Sequence, residues 1–287
     1  MLNIGIIGIT EVLEPHVKRI QKNKNVIVIG KASVGINTQL NSFHFSIPEF
    51  NRVELIERAD ILLVDDSSLL PFELLCDIVK KGKHIFMTEY LNLAVEECKE
   101  IIKLSNESGS VVQVSNPYYY LPGIQWLNDN LQAPFFLDVS KFASGKSFND
   151  TVFPLLLMLT DLVGLNQKKL NAISFKSEEN ELGFTNVRLE YGNASVVNLN
   201  FGNQISFNTF NIKGFSNDLY VTMDFNKDIF LLDNKRIDLS KHLSINEFDV
   251  FLEAIHIQNQ RNGNLEDYLL SKMLSLDINK KISKLLV

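Results

Sequence analysis

In the first part of this chain, short apolar runs alternate with amphipathic stretches, and that alternation limits the fold more than any other feature. Residues 2–8, 26–30, 59–65, 84–88 and 111–115 are runs in which neighbouring positions, not alternate ones, are apolar. Such runs suit strands buried on both faces. Between them, residues 15–21, 71–81 and 94–108 read as helices, and Gly82 and Gly109 stand where helices stop. Strand, helix and strand in short succession make βαβ units, whose right-handed crossovers put helices on both faces of a parallel sheet. The expectation is a Rossmann-type, doubly wound domain over residues 1–120.

The pattern changes after Tyr118-Tyr119-Tyr120. A helix (121–130), a strand (135–142) and an apolar helix (148–162) lead into candidate strands at 173–176, 185–191, 195–201, 205–214, 220–225 and 229–232. Gly192-Asn193 and Asp233-Asn234 fall where hairpin turns belong. Helices at 245–260 and 265–286 close the chain. Residues 121–287 are thus expected to form an α+β domain with a large open, mostly antiparallel sheet. A sheet covered on one face leaves the other for a partner, and a homo-oligomer through that face is the expectation.

The formal net charge of −6 argues against general nucleic-acid binding, which needs a basic face. Lys80-Lys81-Gly82-Lys83 and Lys280-Lys281 read as solvated helix ends. Cys76 and Cys98 each lie within an amphipathic helix, which points away from disulfides and zinc and towards a reducing compartment. Residues 1–8 carry no leader signature. The most apolar stretch, 152–163, contains Pro154 and Asp161 and is too short to span a bilayer. A cytoplasmic protein without membrane contact is expected.

The segment Gly82-Lys83-His84-Ile85-Phe86-Met87-Thr88-Glu89-Tyr90-Leu91-Asn92-Leu93-Ala94-Val95-Glu96-Glu97-Cys98 resembles, without a gap, a stretch of the Gfo/Idh/MocA oxidoreductases. There Gly-Lys-His-Val, a strand and Glu-Lys-Pro precede a helix opened by Leu-x-Leu-Thr-x-Glu-Glu-Ala. Residues 150–164 resemble the family's Asp-x-x-x-His helix ending in glycine, and 246–257 resemble its late Phe-x-x-Phe-x-x-Ala-Ile helix. The resemblance implies NAD(P)-dependent oxidation or reduction, commonly of a sugar, cyclitol or sugar-nucleotide hydroxyl. An open α/β sheet forms a crevice at its top by topology, and a small-molecule ligand in that inter-domain crevice is an expectation. Tyr118, Tyr119, Tyr120 and Trp126 either line that crevice or pack the domain junction.

The family's site positions depart from its pattern. A Gly-x-Gly-x-x-Gly turn lets a diphosphate approach bare backbone at a helix N-terminus. Here Gly8-Ile9-Thr10-Glu11-Val12-Leu13 keeps only the first glycine. Thr10 stands where the phosphate comes close, Leu13 fills the helix–strand contact, and Glu11 and Glu14 add negative charge. Lys31 replaces the acid expected on the ribose; it suits the 2′-phosphate of NADP, or is simply solvated. Asp66-Ser67 replaces the family's Thr-Pro, with Asp65 just before, adding carboxylates at the cofactor edge of the sheet; Asp65, Asp66 and Ser68 also suit a cap for the next helix, and the two roles are compatible. The spacing of these carboxylates demands no metal.

Thr88, Glu89 and Tyr90 occupy Glu-Lys-Pro, so the family's lysine is Glu89, which supplies no positive charge for a developing alkoxide. Asp150 matches the aspartate of Asp-x-x-x-His, as a site residue or as a helix N-cap, while Pro154 replaces the histidine and is expected in that helix's first turn. The family position for hydride chemistry thus rests on Glu89 and Asp150 alone. One reading is a degenerate dehydrogenase that binds a ligand or partner. The alternatives are an NAD(P)H-dependent reductase of altered mechanism, as in biliverdin reductase with its Glu-Tyr-Pro, or a regulatory partner of an active paralogue.

Overall fold

The computed structural model describes residues 1–8, 10–32, 47–143, 148–164, 166–176, 182–202, 208–243, 245–257 and 265–285. The chain divides into two compact units, Met1–Ser115 with Asn246–Leu269, and Asn116–Ile245 with Leu270–Val287. This differs from the division expected from the sequence, after residue 120 with the whole tail in the second domain. The tail divides because helix α7 (Glu247–Ile257) buries Phe248, Phe251, Leu252 and Ala254 in the core of the first unit, beside Ile4, Ile6, Leu13 and Phe86.

The first unit is a five-stranded parallel sheet in the order β2-β1-β3-β4-β5, formed by β1 (Leu2–Ile7), β2 (Val26–Ala32), β3 (Ile61–Val64), β4 (His84–Met87) and β5 (Val112–Val114). All four residues of β3 are buried, as a strand between two helix layers requires. Helices α1 (Thr10–Ile20), α2 (Arg52–Arg58), α3 (Phe72–Lys80) and α4 (Val95–Ser108) connect the strands. The Rossmann-type expectation holds.

Two local differences have physical causes. α1 begins at Thr10, five residues before the expected start at Pro15, a residue that favours the first helical position. Leu13, Val17 and Ile20, spaced as one helical face, are all buried in the core, and this packing carries the helix across Pro15. α2 was not expected at all. Asn51 caps it by accepting from the Glu54 backbone N–H at 2.9 Å, and Leu55 and Ile56 are its buried residues. The Asn-x-x-Glu signal was present in the sequence.

The second unit contains α5 (Pro122–Asn130), α6 (Phe148–Val163) and a sheet of β6 (Phe135–Phe142), β7 (Gln167–Lys176), β8 (Leu182–Tyr191), β9 (Val196–Gly202), β10 (Thr209–Ser216), β11 (Leu219–Asp224), β12 (Ile229–Leu232) and β13 (Lys235–Arg236). Their order is β13-β12-β11-β10-β6-β9-β8-β7. Only β6 and β9 run parallel; the other neighbours are antiparallel, as expected. Helix α8 (Leu265–Leu285) begins in the first unit and ends in this one.

Strand alternation gives this sheet two different faces. Leu137, Val139, Val187, Leu189, Val197, Leu199, Ile212 and Val221 point to the core, which they share with Val152, Leu155, Leu156 and Leu159 of α6. Ile173, Phe175, Phe184 and Phe215 point away from it and are exposed. Pro154 lies inside α6, in its second turn, and not in the first turn as expected. The ring removes one backbone donor, and a helix flanked by buried Phe153 and Leu155 outweighs that loss. Tyr119 is buried in this unit's own core, and Tyr118, Tyr120 and Trp126 pack against it. At the second expected hairpin turn, Asp233 (φ 48°) and Asn234 (φ 63°) adopt the left-handed geometry of a tight turn.

Candidate active site at the carboxyl edge of the parallel sheet

The parallel register places one row of residues just beyond the carboxyl ends of the strands, where α/β sheets hold their ligands. Ile7 pairs with Val64, Val64 with Met87 and Met87 with Val114, so Gly8, Asp65, Thr88 and Ser115 follow side by side. Backbone bonds continue the ladder one residue past each strand: Asp65 N–H to Ile7 at 3.1 Å, Thr88 N–H to Val64 at 2.9 Å and Ser115 N–H to Met87 at 2.8 Å. The Thr88 hydroxyl adds a bond to the Asp65 carbonyl at 3.2 Å.

Gly8 sits at φ +137°, a conformation that side chains disfavour. A Cβ placed there would lie 2.3 Å from the Asp65 Cβ and 3.2 Å from its Oδ2. Asp65 is 3% exposed, so a carboxyl group is packed directly over the one surviving fingerprint glycine. At the far end of the row, Ser115 Oγ donates to Glu247 Oε2 at 2.8 Å, and Glu247, in the first turn of α7, is buried too. Glu89 follows Thr88 and is exposed.

Asp66 Oδ1 accepts from the Ser68 N–H at 2.7 Å and so caps a short 3-10 turn at Ser67–Leu69. The Ser67 hydroxyl accepts from the Asn92 N–H at 3.1 Å. Asp66 thus takes the capping role weighed in the sequence, and Ser67 ties this turn to the segment after Glu89. The Tyr268 hydroxyl donates to the Leu91 carbonyl and helps fix the segment after Glu89.

Lys31 does not end its strand. β2 runs on to Ala32, Lys31 pairs with Ile6, and its backbone exchanges bonds with Pro48 and Phe50, both at 2.9 Å. Glu14 forms an ion pair with Lys18 at 2.6 Å. Leu13 is fully buried and fills the helix–strand contact. The side chains of Thr10, Glu11 and Asp150 lie outside the described residues; Asp150 belongs to the first turn of α6, in the second unit.

The register thus brings Gly8 and Asp65 together and sets Thr88 and Ser115 beside them, with Asp66, Ser67 and Glu89 next in chain. Glu247 was not singled out in the sequence; its only signal was its place ahead of the late Phe-x-x-Phe helix. The fold family implies a dinucleotide at this edge, and among the described residues the carboxyl groups beside the row are those of Asp65, Asp66, Glu89 and Glu247, with Asp65 and Glu247 buried.

A separate concavity of about 1100 Å³ opens at the opposite edge of the same unit, lined among others by His16, Lys22, Asn25 and His256. The Arg19–Asp249 ion pair, at 2.6 Å, lies within it. It sits at the amino end of β2, away from the row at the strands' carboxyl ends. His16 packs at a tilt against Phe86 and edge-on against Phe248, and burial lowers its pKa.

A five-stranded parallel sheet followed by an open eight-stranded one is the two-domain fold that the resemblance implied, and solved dehydrogenases share it. The comparisons agree at the level of fold. UDP-N-acetylglucosamine 3-dehydrogenase GnnA from Acidithiobacillus ferrooxidans superimposes with a TM-score of 0.85 over 100% of this chain and 99% of its own, at 16% identity. The dehydrogenase MviM from Clostridium difficile gives 0.80 over 98% and 99%, at 14% identity. The WlbA dehydrogenase from Chromobacterium violaceum, solved with NADH and UDP-GlcNAcA, gives 0.79 over 99% and 94%, at 11% identity. No protein-family model and no curated protein matches the sequence.

Proposed function

We propose that this chain is a divergent Gfo/Idh/MocA relative that has left hydride transfer and serves as a ligand- or partner-binding protein. One observation carries the reading: the edge of the sheet that must attract a dinucleotide's phosphates and then stabilise an alkoxide is lined by Asp65, Asp66, Glu89 and Glu247. Like charges within about 4–6 Å disfavour a bound anion, and a glutamate in the lysine's place offers no positive charge to a developing oxyanion. A ligand of this edge is therefore neutral or cationic. The experiment is thermal denaturation with 1 mM NADH or NADPH together with an absorbance assay for cofactor turnover. Neither nucleotide raises the melting temperature, and Glu89→Lys with Pro154→His restores no turnover. A shift of several degrees overturns the reading, because binding far above Kd must stabilise.

The second reading is an NAD(P)H-dependent reductase of altered mechanism. It is favoured by the full-length likeness to WlbA, a structure that holds NADH. The same titration separates the two.

A homo-oligomer through the open face of the large sheet belongs to the proposal. Two aromatic groups stand on that face, Phe142 with Phe184 and Phe175, and Phe136 with Phe215 and Tyr220. Between them a polar ladder runs from Asn186 to Asn200 to Asp138, each bond 2.7 Å. Exposed aromatics gathered in this way mark a contact surface.

A further inference from the structure

We infer that the concavity between α1 and α7 is a binding site for a phosphate group, free or carried by a small molecule. The inference concerns the opposite edge of the first unit and does not depend on the reading of the carboxyl edge.

The concavity, about 1100 Å³, lies within the first unit. Its lining comes from the end of α1, the loop that follows, and α7, where Asp249, Leu252, Glu253 and His256 recur at the spacing of one helical face. Its charge is opposite to that of the chain. The chain carries 34 acidic against 28 basic side chains, whereas this lining sets Lys18, Arg19, Lys22 and Lys24 against Asp249 and Glu253. A cleft lined mainly by one sign of charge focuses its field and gathers the opposite ion.

Two of these cations are committed. Arg19 donates from Nε and Nη2 to Asp249 Oδ2, at 3.1 and 2.6 Å, and Lys18 pairs with Glu14 at 2.6 Å. Both stand in the last turn of α1, where a cation also answers the helix dipole. Lys22 and Lys24 have neither reason to be there. They follow the helix, which ends at Ile20, and make no ion pair among the described residues. The loop that carries them is nonetheless fixed. The Lys22 N–H donates to the Arg19 carbonyl at 3.0 Å, the Asn25 N–H to Asn23 Oδ1 at 2.9 Å, and the Leu2 N–H to the Asn25 carbonyl at 2.9 Å. Two ammonium groups are thus presented to one concavity from a backbone already ordered, which lowers the cost of binding. A phosphate group, with about −1.5 to −2 charge at pH 7, matches them. The volume is larger than a phosphate requires and suits a small-molecule site, and buried Val26 and Leu252 add apolar lining for the body of a ligand.

The test is isothermal titration of the full chain with glucose 6-phosphate, inorganic phosphate and glucose, for the wild type and for Lys22→Glu with Lys24→Glu. Both lysines are exposed, so the double variant should keep the wild-type urea midpoint. The expected result is that glucose 6-phosphate binds, glucose does not, and the double variant binds at least tenfold more weakly. Glu253→Gln, which removes an acid from the lining, should tighten binding. Inorganic phosphate bound as tightly as glucose 6-phosphate identifies the free ion as the ligand; weaker binding assigns the remaining volume to the body of a phosphorylated molecule. Absence of binding by both anions, or equal binding in the folded double variant, overturns the inference and leaves the proposed function standing.

Discussion

Replacing Gly8 by alanine tests the Gly8–Asp65 packing independently of any ligand. The backbone term comes first: a non-glycine residue held at φ +137° costs about 1–3 kcal/mol. The packing term is added to it. The new Cβ would lie 2.3 Å from the Asp65 Cβ, and relieving such overlap in a buried site costs about 1–3 kcal/mol. The sum, about 2–6 kcal/mol, is a large part of an ordinary domain's stability. Urea denaturation of the single variant is therefore expected to show a midpoint well below wild type. The second arm separates the terms. In an Asp65→Gly background the overlap disappears while the dihedral strain stays, so the cost of Gly8→Ala falls by about 1–3 kcal/mol. A cost below about 0.5 kcal/mol, typical of a surface substitution, refutes the packing argument. An equal cost in both backgrounds refutes the Asp65 contact and leaves only the strained backbone.

Three further outcomes follow from other parts of the molecule. Burial lowers the pKa of His16 and of His84, whose Nδ1 accepts the Val111 N–H at 3.0 Å. As pH falls below about 6.5 the unfolded chain takes up these protons more readily than the folded one, so stability falls between pH 7 and 5. His16→Phe should flatten that slope, and an unchanged slope in urea melts counts against it. Asp267 behaves in the opposite sense, since burial pushes its pKa up to about 6. Its folded form binds the proton more tightly, so stability is lost as pH rises from the ordinary carboxyl value of 3.8 through about 6, and Asp267→Asn should gain about 1 kcal/mol at pH 7, with no gain at about pH 3. On the open sheet, Phe184→Asp with Phe215→Asp should reduce the mass measured by light scattering to that of one chain; an unchanged larger mass places the contact elsewhere.

The sequence made much of the fold legible because its signals were local. Buried parallel strands need consecutive apolar residues, and the runs at 2–8 and 59–65 supply them, closing as β1 and β3. Gly109, at φ 71°, ends α4 where a helix stop was expected. Reading failed where a distant contact decided. Pro15 looked like a helix start and Pro154 like a first-turn residue, yet both lie within helices whose apolar faces are buried. Residues 246–269 looked continuous with the second domain, and the burial of Phe248 and Phe251 against Phe86 moved them to the first.

By itself the sequence determined the two sheet types, the order of their elements and the acidic replacements at the family's positions, all of which depend on side-chain period and residue type. The tertiary structure alone decided which of them lie together. Gly8 and Asp65 are far apart in the chain, and nothing in the sequence joins them. Parallel register brings them side by side, because strands that pair end on the same line, and there the Asp65 Cβ leaves no room for a side chain on Gly8.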